Sequence, residues 1–353
     1  MTVGSDCAAS ALDAFAVHVK RSLARDTGAG VRILEWQKLA GGAIQQNIAA
    51  RAQVDAGPWA GRHRWVVRTD APSGVAVSHS REQEFALLSV AHRAGVRVPR
   101  PLWCHAAVDG LPSYFVMEHV EGIAAGHRLT KGGAIHDAAP LTRDLAVNLA
   151  CLHGIVPPAP GLEFLGAPPA SPAGEFLGRC RDYLDHWHAT IGTPQPVLEW
   201  ALRYCAQSMP PAGRVCLLHH DYRTGNFLVA EGRLAAVLDW EFAGWGDPLE
   251  DIGWLFARCW RFARPDRIVG GIGDPGVFLD AYNASAGTCY AELDTRYWQL
   301  VAHLRWSVIA LQQAERHLSG REPSLELALT GRILPELELE MLNLVHSLER
   351  SDG

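Results

Sequence analysis

The chain has 353 residues, of which 48% are apolar and 20% are charged, and its formal net charge at pH 7 is −6. This composition is typical of a folded protein with a large core and excludes an intrinsically disordered chain. The acidic balance and the lack of long Lys and Arg runs argue against nucleic acid as a partner. The most apolar stretches are too short or too interrupted to cross a bilayer, so we expect no membrane partner.

The N-terminal part of the sequence predicts one helix followed by a small antiparallel sheet. An amphipathic pattern over 12–23 ends at a Thr-Gly-Ala-Gly cluster, which makes residues 1–30 a helical lead-in. This start lacks the basic and then apolar order of a secretory signal, so we expect a cytoplasmic protein. Further patterns predict strands over 31–39, 47–54, 64–69 and 114–120 and a helix over 78–92.

The rest of the chain is predicted to be mainly helical. The pattern changes near Gly122, and we therefore expect an N-lobe over 31–121 and a C-lobe over 122–353. Pro335 is expected to break or kink the last helix. The helical patterns of the C-lobe cover 141–153, 175–188, 197–208, 294–317 and 324–348.

The main candidate functional residues lie in a polar loop that leads into a hairpin. The loop contains Asp221 after two histidines and ends at Asn226, where a short apolar strand begins. Glu231 and Gly232 form a turn signal, and the second apolar strand ends at Asp239. The sequence therefore predicts a β-hairpin with polar side chains at its open end.

With this turn, Asn226 opposes Val237 and Asp239 opposes Thr224. Asn226 and Asp239 are then a diagonal pair at one end of the ribbon, close enough to share one ion. Amide and carboxylate oxygens suit Mg²⁺, which keeps waters and substrate phosphates as its other ligands. Asp221 would stand beside this ion, where phosphoryl transfer needs a base that accepts a hydroxyl proton.

The run H-x-D-x-x-x-x-N followed by L-D-W resembles the catalytic loop and metal-binding Asp of protein kinases. It resembles more closely the aminoglycoside phosphotransferase and choline kinase-like superfamily, and residues 238–254 resemble the branch found fused to some acyl-CoA dehydrogenases. The resemblance implies an α+β, protein-kinase-like two-lobed fold and an enzyme that uses ATP and Mg²⁺. It implies Asp221 as the catalytic base and Asn226 and Asp239 as the metal ligands.

Two histidines precede the proposed base. The resemblance implies that His219 organises the loop, and the family usually has glycine at the position of His220, so the loop must accommodate a larger side chain. Paired histidines before Asp also suggest a second interpretation, a His-Asp metal phosphohydrolase. Such centres lie on helices, whereas Gly225 and the flanking strands favour a loop here.

In the N-lobe, the resemblance implies a set of nucleotide-binding residues. A glycine-containing loop between two strands would face the phosphates, and a strand arginine takes the place of the family's lysine, with a helix glutamate as its partner. The strand over 115–120 resembles the hinge that meets adenine through backbone groups. The implied residues are Gly41, Gly42, Arg68, Glu84, Glu118 and Val120.

Other features have simpler explanations. Asp247 and Glu250 flank a Pro-Leu pair in the manner of a helix N-terminus, so capping is the preferred role of Asp247, which in the family also helps to hold the catalytic loop. His153 is expected to be structural. Four tryptophans are expected to be core residues and groove walls, some lining the acceptor pocket: Trp240, Trp245, Trp254 and Trp260.

The expected function is transfer of the γ-phosphoryl group of ATP to a hydroxyl of a small-molecule acceptor. A hydroxyacyl-CoA is one candidate acceptor. An aminoglycoside-type antibiotic kinase and a nucleotide-binding module without catalysis remain alternatives. The sequence indicates neither the acceptor nor the oligomeric state.

Overall fold

The structure is a computed structural model that describes residues 3–39, 45–70, 78–131 and 135–350. The chain packs into two compact units. The N-terminal unit consists of Met1–Arg93, Val98–Val120 and Trp240–Phe242, and the C-terminal unit consists of Ala94–Arg97, Glu121–Asp239 and Ala243–Gly353.

The N-terminal unit is an antiparallel sheet of five strands with two helices. The strand order is β1-β2-β3-β5-β4. The predicted strands and the helix after the third of them are present, and β4 was not predicted. The elements are α1 (Val3–Thr27), β1 (Val31–Lys38), β2 (Gln45–Val54), β3 (Gly61–Asp70), α2 (Arg81–Arg93), β4 (Pro101–His105) and β5 (Tyr114–Glu118).

The central strand β3 is buried on both faces of this sheet, because residues 65–69 are all buried. Trp65 and Val67 belong to the core formed with Val19 and Leu23 of α1. Side chains alternate along a strand, so Arg68 lies on the opposite face. The strand thus places a cation in a buried position.

The C-terminal unit is mainly helical, and its longest helix, α9, runs through its core with α5, α6 and α11. Two short antiparallel pairs, β6 with β9 and β7 with β8, carry the polar loop and the hairpin. The elements are α3 (Gly126–Lys131), α4 (Ala138–Leu152), α5 (Pro172–Thr190), α6 (Pro196–Gln207), β6 (Cys216–Leu218), β7 (Phe227–Ala230), β8 (Arg233–Val237), β9 (Gly244–Gly246), α7 (Pro248–Phe256), α8 (Pro275–Ala286), α9 (Asp294–Leu318), α10 (Leu325–Gly331) and α11 (Leu334–Glu349).

This architecture confirms the predicted fold class, in which a small antiparallel sheet with a helix precedes a mainly helical part. The last predicted helix is divided into α10 and α11, and Pro335 lies in the first turn of α11, as its missing N–H favours. Among the helices of the described ranges, none is both long and apolar enough to span a membrane.

A close approach of α7 and α9 fixes the position of the helix that supports the polar loop. A Cβ atom on Gly253 would lie 2.6 Å from the backbone carbon of Trp298 and 2.8 Å from its oxygen. Only a residue without a side chain therefore allows α7 to lie against α9 at this point.

We predict that Gly253→Ala destabilises the protein by about 1–3 kcal/mol, because an added methyl group in a packed contact forces the helices apart. Urea unfolding monitored by circular dichroism measures this change. Gly178→Ala is the matched control, since Gly178 is an exposed residue inside α5 with no atom within 4 Å of the added Cβ. Alanine is the better helix former there and should stabilise by up to about 1 kcal/mol. Equal effects of both substitutions would contradict the close approach.

Candidate active site

The polar loop runs from β6 to β7, and a buried carboxylate holds its backbone. Asp251, in the first turn of α7, accepts hydrogen bonds from the N–H groups of His219 (2.7 Å) and His220 (2.8 Å). His153 contacts the same carboxylate, with 3.3 Å between Nε2 and Oδ2. Burial alone would raise the pKa of Asp251, but the hydrogen bond from His153 and the electrostatic effect of the neighbouring histidines lower it below its usual value.

His153 is a structural residue, as predicted. It is 1% exposed, and its Nδ1 lies 2.7 Å from the hydroxyl of Tyr282. Asp247 caps α7 and forms a reciprocal capping box with Glu250, which confirms the predicted cap. The loop contact that the family implied for Asp247 is made by Asp251, a residue that sequence reasoning missed.

His220 adopts a left-handed backbone conformation, with φ of +60°. This region favours glycine and costs other residues roughly 1–2 kcal/mol. The N–H of His220 is bonded to Asp251, and its Nε2 lies 3.9 Å from Oε2 of Glu250. The loop therefore keeps the conformation of a glycine-containing loop despite the larger side chain.

Asp221 is held by three neighbouring side chains. Its Oδ1 accepts hydrogen bonds from Nε1 of Trp254 and Nε of Arg223, both at 2.9 Å. Nδ2 of Asn226 donates to the backbone oxygen of Asp221 at 3.0 Å and also contacts its Oδ2. The side chain of Asp221 remains 16% exposed. These contacts fix the carboxylate in one orientation and leave part of it accessible.

Sequence reasoning missed both Trp254 and Arg223 as partners of Asp221. Trp254 follows Asp251 by three residues, so both lie on one face of α7. Once Asp251 is known to hold the loop, this three-residue spacing is the signal that could have placed Trp254 beside Asp221.

The predicted register of the hairpin is wrong by one residue at its open end. Glu231 and Gly232 form the turn, as predicted, with φ of +51° and +71°. A β-bulge places one extra residue, Ala235, in β8, so Phe227 pairs with Val237 and the N–H of Leu238 donates to the oxygen of Asn226 at 2.7 Å. Asn226 thus faces Leu238 instead of Val237.

Asp239 is the residue after Leu238, whose N–H bonds to Asn226 in this shifted register. Its φ is +61°, so the backbone is not extended there, and the alternation of side chains along a strand does not apply to it. Asn226 is bound to Asp221 through its nitrogen, which directs its amide oxygen to the other side. One amide oxygen and one carboxylate near a hairpin end form a donor set that suits Mg²⁺.

His219 connects the loop to the end of β8. Its Nε2 donates to the oxygen of Leu238 at 2.8 Å, and its Nδ1 accepts the N–H of Asp221 at 3.2 Å. Both ring nitrogens are therefore used in protein contacts, which argues against a metal-ligating role in a His-Asp phosphohydrolase. Across the described ranges, no three His, Cys, Asp or Glu side chains are grouped so that they could hold a metal ion.

In the N-terminal unit, Arg68 and Glu84 form a buried ion pair. The distance from Nε of Arg68 to Oε1 of Glu84 is 2.8 Å, and the two residues are 4% and 1% exposed. Nη1 of Arg68 also donates to Asn47 at 3.2 Å. Arg81 also forms an ion pair with Glu84, and its Nε lies 2.9 Å from Oδ1 of Asp70. The structure therefore brings Arg68 and Glu84 together, while Glu82 is exposed.

The other predicted nucleotide-binding residues belong to two segments. Glu118 ends β5, and its N–H donates to the oxygen of Arg100 at 2.9 Å. Val120 lies two residues later, and its N–H has no acceptor in the part of the chain that the structure describes. Gly41 and Gly42 lie outside the described residues.

The loop anchor gives a pH-dependent prediction. Asp251→Asn should lower the free energy of unfolding at pH 7 by about 2–4 kcal/mol, because an amide cannot accept both backbone N–H groups. A lowered folded-state pKa contributes stability that is complete above the pKa of unfolded Asp, near 3.9, and is lost as pH falls through the folded value. The difference between variant and wild type should therefore narrow below about pH 4.

Urea unfolding from pH 7 down to pH 3 measures this narrowing. Asp266→Asn is the control, since Asp266 is an exposed residue that pairs with Arg264. A difference between Asp251→Asn and wild type that stays constant with pH would show that the carboxylate charge does not hold the loop.

Comparison with known proteins identifies the family and the fold of this chain. The chain matches the model of the phosphotransferase enzyme family over residues 35–293. It is 28% identical over 213 residues to acyl-CoA dehydrogenase family member 11 of Rattus norvegicus, a match that covers 55% of this chain and 25% of the relative. The match thus spans about a quarter of the length of that curated relative.

Two solved structures share the fold. A protein of Ralstonia eutropha assigned to the aminoglycoside phosphotransferases has a TM-score of 0.72 at 18% identity, over 92% of this chain and 97% of that one. Spectinomycin phosphotransferase, solved with ADP and spectinomycin, has a TM-score of 0.60 at 10% identity, over 93% of this chain and 97% of that one. These likenesses confirm the protein-kinase-like fold, and the match to the family model over most of the chain shows that it belongs to the phosphotransferase enzyme family.

Proposed function

We propose that this phosphotransferase moves the γ-phosphoryl group of ATP to a hydroxyl of a small molecule, with Asp221 as the base. The observation that carries the proposal is the fixed carboxylate of Asp221, which Trp254, Arg223 and Asn226 orient in the loop between β6 and β7. A base that orients the attacking hydroxyl and accepts its proton is what phosphoryl transfer requires from the protein. A cytoplasmic location, where ATP is available, is part of this proposal.

We propose that Asn226 and Asp239 hold Mg²⁺. Their donor set fits a hard cation that takes its remaining ligands from water and phosphate oxygens. When bound, the metal supplies positive charge that neutralises the phosphate oxygens during transfer. Arg223 and Trp254 would keep the carboxylate of Asp221 in place as the hydroxyl proton arrives.

For the nucleotide, we propose that Arg68 binds phosphate oxygens and that Glu84 fixes the direction of its guanidinium. Arginine can bind phosphate through two parallel hydrogen bonds, which supports its use in place of lysine. The backbone of Glu118 and Val120 would meet the adenine, and Gly41 and Gly42 would face the phosphates. The match to an acyl-CoA dehydrogenase family member makes a hydroxyacyl-CoA one candidate acceptor.

We predict that Asp221→Asn lowers kcat by about 10²–10⁴-fold, because the amide cannot accept the hydroxyl proton. Nucleotide affinity, measured by calorimetry, should change little. ADP formation is measured against hydroxyacyl-CoA esters, aminoglycosides and amino alcohols in parallel. Asp266→Asn is the matched control for loss of one carboxylate. Nearly normal turnover in Asp221→Asn would contradict the role of the base, and phosphate release without any acceptor would point to a hydrolase.

We further predict that Asp239→Asn raises the Mg²⁺ concentration needed for half-maximal activity by about tenfold or more, because a carboxylate ligand is replaced by a neutral amide. A titration of initial rate against Mg²⁺ at saturating ATP measures the shift. Asp280→Asn, at an exposed position of α8, serves as control. An unchanged Mg²⁺ dependence in Asp239→Asn would show that Asp239 is not a ligand.

A further inference from the structure

Three tryptophans pack together beside Asp221. They are Trp254 of α7, Trp260 in the short turn that follows α7, and Trp306 of α9. The ring centres are 5.1 Å apart for Trp254 and Trp260 and 4.9 Å apart for Trp260 and Trp306. We call these three residues the tryptophan cluster.

Two arginines lie over the rings of the tryptophan cluster. The guanidinium carbon of Arg223 is 4.4 Å from the ring centre of Trp260, and that of Arg305 is 4.8 Å from the ring centre of Trp254. Such contacts over an indole face are favourable for a cation. The cluster therefore carries two positive charges close to the proposed base.

The two arginines differ in their partners. Arg223 is paired with Asp221 at 2.9 Å. Arg305 is partly buried, and among the residues that the structure describes it makes neither an ion pair nor a hydrogen bond. Burial lowers the pKa of Arg305, and the charges of Asp221 and Glu250 act in the opposite direction. A cation that is partly shielded from water and has no direct anionic partner is stabilised by a ligand that supplies one.

One indole links this cation to the base. The N–H of Trp254 donates to Asp221, and the face of the same ring carries Arg305. Trp254 lies in α7, is 3% exposed and packs against α9. It therefore holds Asp221 and Arg305 at a fixed separation. Trp260 adds a buried indole N–H that has no acceptor within the described ranges.

We propose that Arg305 binds an anionic group, a carboxylate or a phosphate, on the molecule whose hydroxyl is phosphorylated. The proposal rests on the proposed function and specifies its acceptor. A hydroxy acid or a phosphate-bearing alcohol would place its hydroxyl at Asp221 and its anion at Arg305, several bonds away along the same molecule. A polyamine such as an aminoglycoside would instead bring like charges toward Arg305, which disfavours the antibiotic-kinase alternative.

The test compares acceptors that carry an anionic group with neutral counterparts that lack it. 4-Hydroxybutyrate is paired with 4-hydroxybutyramide, and glycerol 3-phosphate is paired with glycerol, so the two pairs distinguish a carboxylate from a phosphate. Binding in the presence of Mg²⁺ and a non-hydrolysable ATP analogue is followed by quenching of tryptophan fluorescence. Wild type should bind the anionic member of at least one pair roughly 10- to 100-fold more tightly, as expected for charge-assisted hydrogen bonds.

Arg305→Gln should abolish this preference and leave binding of the neutral member within about threefold, since the loss is confined to one charged contact. Where turnover is measurable, the change should appear in KM for the anionic acceptor. Arg316→Gln is the matched control on the same helix, because Arg316 pairs with Glu322 outside the cluster. Arg305→Lys should keep the preference in part, since it retains the positive charge but not the planar guanidinium that can donate two parallel hydrogen bonds.

Equal binding of charged and neutral members by wild type overturns the proposal, as does an unchanged preference in Arg305→Gln. If Arg305→Gln does not fold, as judged by circular dichroism, the proposal is tested by the preference of wild type and of Arg305→Lys for the anionic over the neutral acceptor. Binding does not depend on transfer. A retained anion preference without phosphorylation of any acceptor would therefore overturn the proposed function and leave the anion site standing.

Discussion

The hydrogen bonds from two consecutive backbone N–H groups to the carboxylate of Asp251 fix the polar loop on which the candidate site is built. A buried carboxylate is stable only when its oxygens are saturated with donors, and His153 supplies the third. This arrangement also retains His220 in a left-handed conformation that costs energy by itself. The loop is therefore positioned by a helix that is distant in sequence rather than by its own preferences.

Charge compensation follows the same principle in both units. Asp221 is surrounded by donors from Trp254, Arg223 and Asn226, and Glu84 is shared by two arginines. In each case the energy of burying a charge is offset by several short contacts, and removal of one partner would leave the other uncompensated. Such networks are more effective in fixing direction than in adding net stability, which is what a catalytic carboxylate and a phosphate-binding cation require.

Local patterns were sufficient for much of the fold and for the spacing of the candidate residues. The apolar run that precedes Arg68 and the turn at Glu231 and Gly232 depend on neighbouring residues, so they were predictable. The contacts of Asp251 with His219 and of Trp254 with Asp221 join positions more than 30 residues apart, and no periodicity encodes them. The bulge in β8 was missed for a different reason. The hydrophobic pattern of a continuous apolar strand is the same with or without one extra residue.

The position of Asp251 and Trp254 on one short helix restricts how α7 can vary in length. A helix turns by about 100° with each residue, so one insertion between these two positions would move the indole away from the loop while the anchor stayed in place. All residues of α7 from Asp251 to Phe256 are buried. A change of spacing would separate loop anchoring from orientation of Asp221. Insertions among natural variants of this chain should therefore accumulate outside residues 251–254.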